Sequence, residues 1–445
     1  MLIAGVRADP QKTILSLRSA NAEFGMFVSR ILALLLLTAV PAYAATQQDY
    51  EGCNSGDADT RIASCTRIIE DAGEDARNRA LAYYGRGIGH IQKEEFDTAI
   101  ANFDAAIRLA PSYTPAFINR GNSYINKRDY DRAIADLDQA VKIDPDNALA
   151  FYFRGWAYAS KGNLLRAIED YTEALRLEPS AGLYSWRGDA YRDQGNLELA
   201  LADYNEAIRI NPSHAAAYYG RGSLYLAKRD ADAALADLDE AIRLEPNDAF
   251  AYAKRGDVYQ AANQSDKALP DYDEAIRLLP GQHFFHNSRG AAYESLRDFD
   301  RAIADYSEAI RLNPDAFASY GNRGKLYSDR KDYDRAIADF SQLIRLSPSY
   351  FAYIDRGAAY ANKKEYDLAI ADFSEAIKLH PTYGDIYFYR GVAYRTKGDT
   401  ERAVADFKQA IEVDPLGSKA SREQLQALLG NAGVPARKSV LDMLK

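Results

Sequence analysis

Three groups of residues have types and spacing that could support chemistry. His283 and His286 stand in HFFH, a spacing that suits two ligands of a metal ion. Cys53 and Cys65 are the only cysteines of the chain and could be joined, lie free, or bind metal. Trp156 and Trp186 are its only tryptophans, and Tyr152, Phe153, Arg192 and Tyr219 lie near them along the chain. Aromatic rings with an arginine are the residue types that anchor binding interfaces.

Catalysis finds less to work with. No phosphate loop, no Gly-x-Ser-x-Gly and no Cys/His pairing occurs in the sequence. The carboxylates recur at fixed intervals, which suits a framework better than a matched acid and base. His286 occupies a place where aromatic rings otherwise recur, and no third or fourth ligand stands near the cysteines. The reading is therefore no enzyme, no catalytic residue, no cofactor and no metal.

Composition narrows the partners. The chain has 445 residues, a net charge of −9 and a pI near 5.3. That balance gives no basic surface for tracking phosphates, so nucleic acid is not expected. With 47% hydrophobic and 27% charged residues the chain reads as folded rather than disordered.

Arg30 precedes the run ILALLLLTAV, which PAYA closes at Ala44. A positive residue, an apolar run and a small-x-small ending read as a secretory signal peptide over residues 1–44. The run is too short to cross a bilayer comfortably, so no stable membrane span is expected after cleavage. Met26 would begin a compact signal of its own, so residues 1–25 read as an upstream extension or an over-long gene assignment. The expected location is exported, periplasmic or extracellular, where disulfides persist. A Cys53–Cys65 disulfide is then expected, with the turn NSGD between the two. The other reading leaves Cys65 a buried free thiol beside Ile62, Ile68 and Ile69.

What must position these groups is a repeat. Prolines at 111, 145, 179, 212, 246, 280, 314, 348, 381 and 415 recur every 33 or 34 residues. With that proline as position 32, position 8 is glycine in all ten copies, from Gly87 to Gly391, and position 20 is alanine in all ten. Position 11 is tyrosine except for His90, and position 4 is Tyr or Phe except for His286. Positions 4, 11 and 24 take up 20 of the 32 tyrosines, so the tyrosine richness is packing. Position 7 is arginine in all ten, and position 23 is aspartate in nine, with Asn102 in the first copy. In an antiparallel helical pair turning near position 15 these two lie level, which predicts a ladder of partly buried Arg–Asp pairs. The alternative is an arginine row that binds anionic ligands. Pro270, inside a second helix, predicts a kink, and Leu343, where the other nine copies have Ala at position 27, predicts wider helix spacing.

The spacing of Tyr/Phe, Gly, Tyr, Ala, aromatic, Ala and Pro resembles the tetratricopeptide repeat, with Arg in place of the usual Leu before the glycine. The resemblance implies an all-α fold, a right-handed superhelical solenoid of helix–turn–helix repeats. Residues 80–417 would hold ten repeats, 45–79 an N-terminal cap with the cysteine pair, and 418–445 a C-terminal capping helix and tail. It also implies that positions 2, 5, 6, 9, 12 and 13 of each repeat face a concave groove. Tyr152, Phe153, Trp156, Trp186, Arg192 and Tyr219 become the candidate binding residues, unless the tryptophans merely fill gaps between helices. The family's chaperone-tail clamp is not matched: Asn119 and Asn122 are present, but Tyr84 stands where its first lysine belongs. The implied function is a scaffold that binds a protein or peptide. A carbohydrate-binding role in polysaccharide export or envelope assembly is the alternative.

Overall fold

The computed structural model describes residues 44–415 and 417–431. Apart from Ala44, the signal-like segment and Met26 lie outside the described residues, as does the tail beyond Asn431. Among the described residues there are 23 helices and no strand. The chain divides into two compact units, residues 1–143 and 144–445.

In the first unit α1 (Gln47–Cys53) and α2 (Ala58–Glu70) precede α3 (Ala76–Gln92), α4 (Phe96–Leu109), α5 (Thr114–Asn126) and α6 (Tyr130–Ile143). Thr46 opens α1 with a capping box: its side chain accepts from the Asp49 N–H, and Asp49 accepts from the Thr46 N–H. A disulfide joins Cys53 to Cys65 across α1 and α2, with the Cα atoms 4.7 Å apart. Both sulfurs lie against Gly85 of α3, where an added Cβ would stand 2.8 Å from Cys65 Sγ. Only glycine lets α3 seat on the bridge.

The second unit is a run of helical pairs beginning with α7 (Ala148–Ser160), α8 (Leu164–Leu177), α9 (Ala181–Gln194), α10 (Leu197–Ile210) and α11 (Ala215–Ala227). It ends on the helix Lys419–Asn431. Two local features make each pair. The turn between its helices carries a left-handed residue at position 15, from Gly162 and Gly195 (φ 81° and 90°) to Arg229, Asn263, Arg297, Lys331 and Lys364. A side chain there costs roughly 1 kcal/mol, which the packed hairpin tolerates. The recurring glycine at position 8 then admits the residue at position 24. A Cβ on Gly155 would lie 2.8 Å from the Tyr171 ring, and one on Gly188 would lie 2.9 Å from that of Tyr204.

Arginine at position 7 locks the pair. Its Nε and Nη2 donate to both oxygens of the position 23 aspartate in nine repeats, from Arg120–Asp136 to Arg390–Asp406, at 2.5 to 2.9 Å. In the first copy Arg86 Nε donates to Asn102 Oδ1 at 2.7 Å. The guanidinium also lies over the ring at position 4, as Arg221 does over Tyr218 at 5.7 Å. The third partner is not visible in the repeat pattern. Nη1 reaches back to position 25 of the preceding repeat: Arg221 to Asn205 at 2.6 Å, Arg289 to Asp273 at 2.7 Å, Arg323 to Ser307 at 2.8 Å. One side chain therefore joins two helices of its own repeat and ties them to the repeat before.

Two irregular positions leave the lengths of their helices unchanged. The helix Ser265–Leu278 runs unbroken through Pro270, at the 14 residues usual for a second helix. Pro270 and Asp266, whose carbonyl loses its partner, are both exposed, while Ala268, Tyr272 and Ala275 hold the helix from the buried side. Leu343 finds its space over Gly321, where an added Cβ would be 3.4 Å from its Cδ2. Position 5 is glycine in this repeat alone.

Two outcomes follow. Asp271→Ala leaves Arg255 only the more exposed Asp239 as a carboxylate partner, in a site where the lost aspartate is 7% exposed, and should cost about 3 kcal/mol in urea unfolding. Arg255→Met with Asp271→Leu should recover most of that loss. If the double variant is as unstable as the single one, the charge left behind is not the cause. Thiol titration of the denatured, unreduced chain should find no free thiol, and reduction should lower the stability of α1 and α2 by roughly 2–3 kcal/mol.

Candidate binding groove

First helices pack against the first helices of neighbouring repeats along the second unit. The contact recurs from α9 and α11 to the pair Tyr350–Asn362 and Gly384–Thr396. Consecutive second helices make no contact of that extent among the described residues. The first helices thus line the inner side of this unit, and variable positions 2, 5, 6 and 9 provide its surface.

Four of the six expected residues meet there. Tyr152, Phe153 and Trp156 lie on α7, and Trp186 lies on α9. Trp156 and Trp186 stack at 6.1 Å between ring centres and 27° between planes. Tyr152 approaches Phe153 at 4.9 Å and Trp186 at 6.4 Å, and Phe153 approaches Trp156 at 6.2 Å. Such contacts contribute about 0.5–1.5 kcal/mol per pair beyond the area they bury. The group is not a buried core: Trp186 is 40% exposed and the other three are half-buried.

Arg192 and Tyr219 belong to a polar stretch beside the rings. Arg192 Nη1 lies 2.9 Å from Asp189 and Nη2 lies 3.1 Å from Asp193, so its charge is already matched. The Tyr204 hydroxyl donates to Asp189 Oδ1 at 2.7 Å and accepts from Arg192 at 3.3 Å. Lys254 pairs with Asp257 at 3.0 Å, and Asp257 accepts from the Tyr272 hydroxyl at 2.9 Å. Tyr219 feels both cations: burial raises its pKa, with Lys254 and Arg192 opposing.

Asp189 is 38% open to solvent, yet burial raises its pKa despite Arg192. Exposure and burial act here over different distances. Part of the side chain is open to solvent while protein crowds the carboxylate on its other sides, and that surround holds the pKa up. Burial works to lower the pKa of Lys254, and Asp257 and Tyr219 together more than offset it, giving a net rise.

Asp189, Lys254 and Asp257 sit at positions 6 and 9, where the variable surface was expected, but their individual pairing was not readable. Tyr204 and Tyr272 are framework rings whose hydroxyls reach this surface. His283 and His286 do not converge on a metal. His283 Nε2 meets Asn313 at 3.1 Å, while His286 Nδ1 lies 3.3 Å from Asp305, which it shares with Arg289. No helix among the described residues is long and apolar enough to cross a membrane.

Comparison with known proteins bears on the framework. Tetratricopeptide repeat family models match residues 118–182, 253–317 and 289–351, 215–248, and 350–383 and 384–415; a TPR repeat model matches 188–229. No curated protein matches the sequence. Among solved structures, similarity is found to the APC/C hetero-tetramer Cut9-Hcn1 at 14% identity, over 86% of this chain and 92% of that one, with a TM-score of 0.46. Yeast Tom70 is similar at 14% identity over 91% and 98%, with a TM-score of 0.43. YrrB, described as a TPR protein with an unusual peptide-binding site, is similar at 24% identity over 44% and 97%, with a TM-score of 0.34.

The ring geometry predicts unequal solvent access. In Trp156→Phe the remaining Trp186 should be quenched by acrylamide more strongly than Trp156 is in Trp186→Phe. Equal quenching would mean that the two indoles do not stack as described.

Proposed function

The chain belongs to the tetratricopeptide repeat family, and from that premise we propose that it is a non-enzymatic scaffold holding a protein or peptide on the first helices of repeats three to five. The observation that carries this is the half-exposed cluster of Tyr152, Phe153, Trp156 and Trp186 on the inner side of the unit. Rings left partly open retain apolar area that a partner can bury, at roughly 25 cal/mol per Å². Charges along the same surface set direction: Asp189 and Arg192 in the fourth repeat, with Lys254 and Asp257 in the sixth, offer pairs that can exchange partners with a peptide backbone or side chain. Arg192 acts within that network and not as a free cation.

We place the protein outside the cytoplasm on the strength of the signal-like run ending at Ala44 and the Cys53–Cys65 bridge. N-terminal sequencing of the protein from its native host should begin at Ala45.

For the binding role, the partner captured from envelope extract should be titrated against single variants. Trp156→Ala and Trp186→Ala should each weaken it by about 2 kcal/mol or more while the fold is kept. Undiminished binding by both variants would reduce the cluster to packing. Binding to a glycan array in place of any protein would replace the partner class.

A further inference from the structure

The first unit contains a cavity separate from that groove. It has a volume of about 380 Å³ and opens between α1, α2 and α3, with Tyr113 at one side. Ligand pockets begin near this size. Its α3 lining uses Leu81, Tyr84, Gly85 and Ile88, which are positions 2, 5, 6 and 9 of the first repeat. Gly85 lies on the Cys53–Cys65 bridge, so the disulfide forms part of the floor.

Three polar groups of the lining, Arg61, Tyr84 and Tyr113, keep a donor for a guest, whereas Tyr50, Asn54 and Asn78 donate to protein acceptors. Arg61 lines it from α2, and its side chain makes no hydrogen bond or ion pair among the described residues. Its Nε is out of contact with water and without a partner. A partly buried guanidinium with no acceptor on it is costly, and an anion drawn to its charge from the cavity relieves part of that cost. The framework arginines differ in this respect, since Arg120 and Arg221 have carboxylates on their forks. Tyr84 accepts from Asn119 Nδ2 at 3.2 Å, which leaves its own proton for a guest. Burial pushes the Tyr113 hydroxyl up to about 12, so it too stays protonated. In a chain with 64 acidic residues, no Asp or Glu lines the cavity. Apart from Asn54 and Asn78 the remainder of the wall is apolar or aromatic, with Tyr84 and Tyr113 edge to face at 5.2 Å.

We propose that this cavity binds an amphipathic carboxylate, its charge on Arg61 and its apolar body against Leu81, Tyr84 and Ile88. The guest is either a free organic acid or the carboxyl end of a peptide, which share that chemistry. The site is independent of the aromatic groove of the second unit.

Calorimetric titration of the full chain tests it with 4-phenylbutyrate and N-acetyl-Leu-Phe, each against its own amide. At least one acid should bind, and its amide should be weaker by about tenfold or more, because a charge-assisted pair is lost. Arg61→Gln should lose affinity for the acid by a similar factor, while Trp186→Ala should leave it unchanged. Binding of phenylbutyrate alone identifies a free acid as the source, and binding of the peptide alone identifies a chain end. The proposal is overturned if neither acid binds, if the amides bind equally well, or if folded Arg61→Gln keeps full affinity. Should Arg61→Gln fail to fold, the acid and amide pair on the unaltered chain still separates these outcomes, with Arg61→Lys as the second variant.

Discussion

A guanidinium with five N–H donors in one plane needs several acceptors at fixed angles, and the repeat is arranged around meeting that need. Two acceptors come from aspartate 16 residues later, as in Arg323 to Asp339. A ring three residues earlier covers the face, and a third acceptor lies on the neighbouring repeat, as Ser307 does for Arg323. The aspartates are 7–9% exposed and the arginines 17–21%. In that setting the pair is a constraint on register more than a source of stability. A slip of either helix would strand a charge away from water.

With the framework held in this way, the inner surface can vary. Position 9 is Trp156, Asp189, Ser223 and Asp257 in successive repeats, and none of these disturbs the fork behind it. The aromatic cluster and the charged network beside it are therefore local choices on a fixed wall. Two framework tyrosines connect wall and surface, because Tyr204 and Tyr272 are buried rings whose hydroxyls donate to Asp189 and Asp257. That contact limits how far each carboxylate can move toward a ligand.

Much of this was legible from residue spacing. Arg120 and Asp136 recur at one interval in every later copy, so their pairing could be inferred from that interval alone, and Gly155 announced the close approach of Tyr171. The backward contact was hidden because position 25 offers Asp, Asn, Thr or Ser, which share an oxygen but no name. The left-handed turn was visible only where glycine marks it, at Gly162, Gly195 and Gly398; Arg229 and Lys364 adopt it under tertiary compulsion. At Pro270 the helix continues, because packing on Ala268 and Tyr272 outweighs one missing hydrogen bond on an exposed face. At Leu343 the compensating residue, Gly321, is 22 positions away and belongs to a variable position. The ring cluster could be nominated by type, but the paired state of Arg192 could not, since Asp189 and Asp193 are ordinary surface acids by sequence.

The backward reach of the arginine gives the array a polarity that bears on how it could have grown. A copied repeat carries its fastening on its own first helix and requires of its predecessor only an oxygen at position 25. Asp239, Asn205, Thr172 and Ser374 all serve. Duplicated units could be inserted almost anywhere along the row without matching changes in the units they join. The tenth copy has Lys408 at that position, and ammonium cannot accept. An eleventh repeat appended there would meet a cation where its arginine seeks an oxygen, so the row carries its own stop sign.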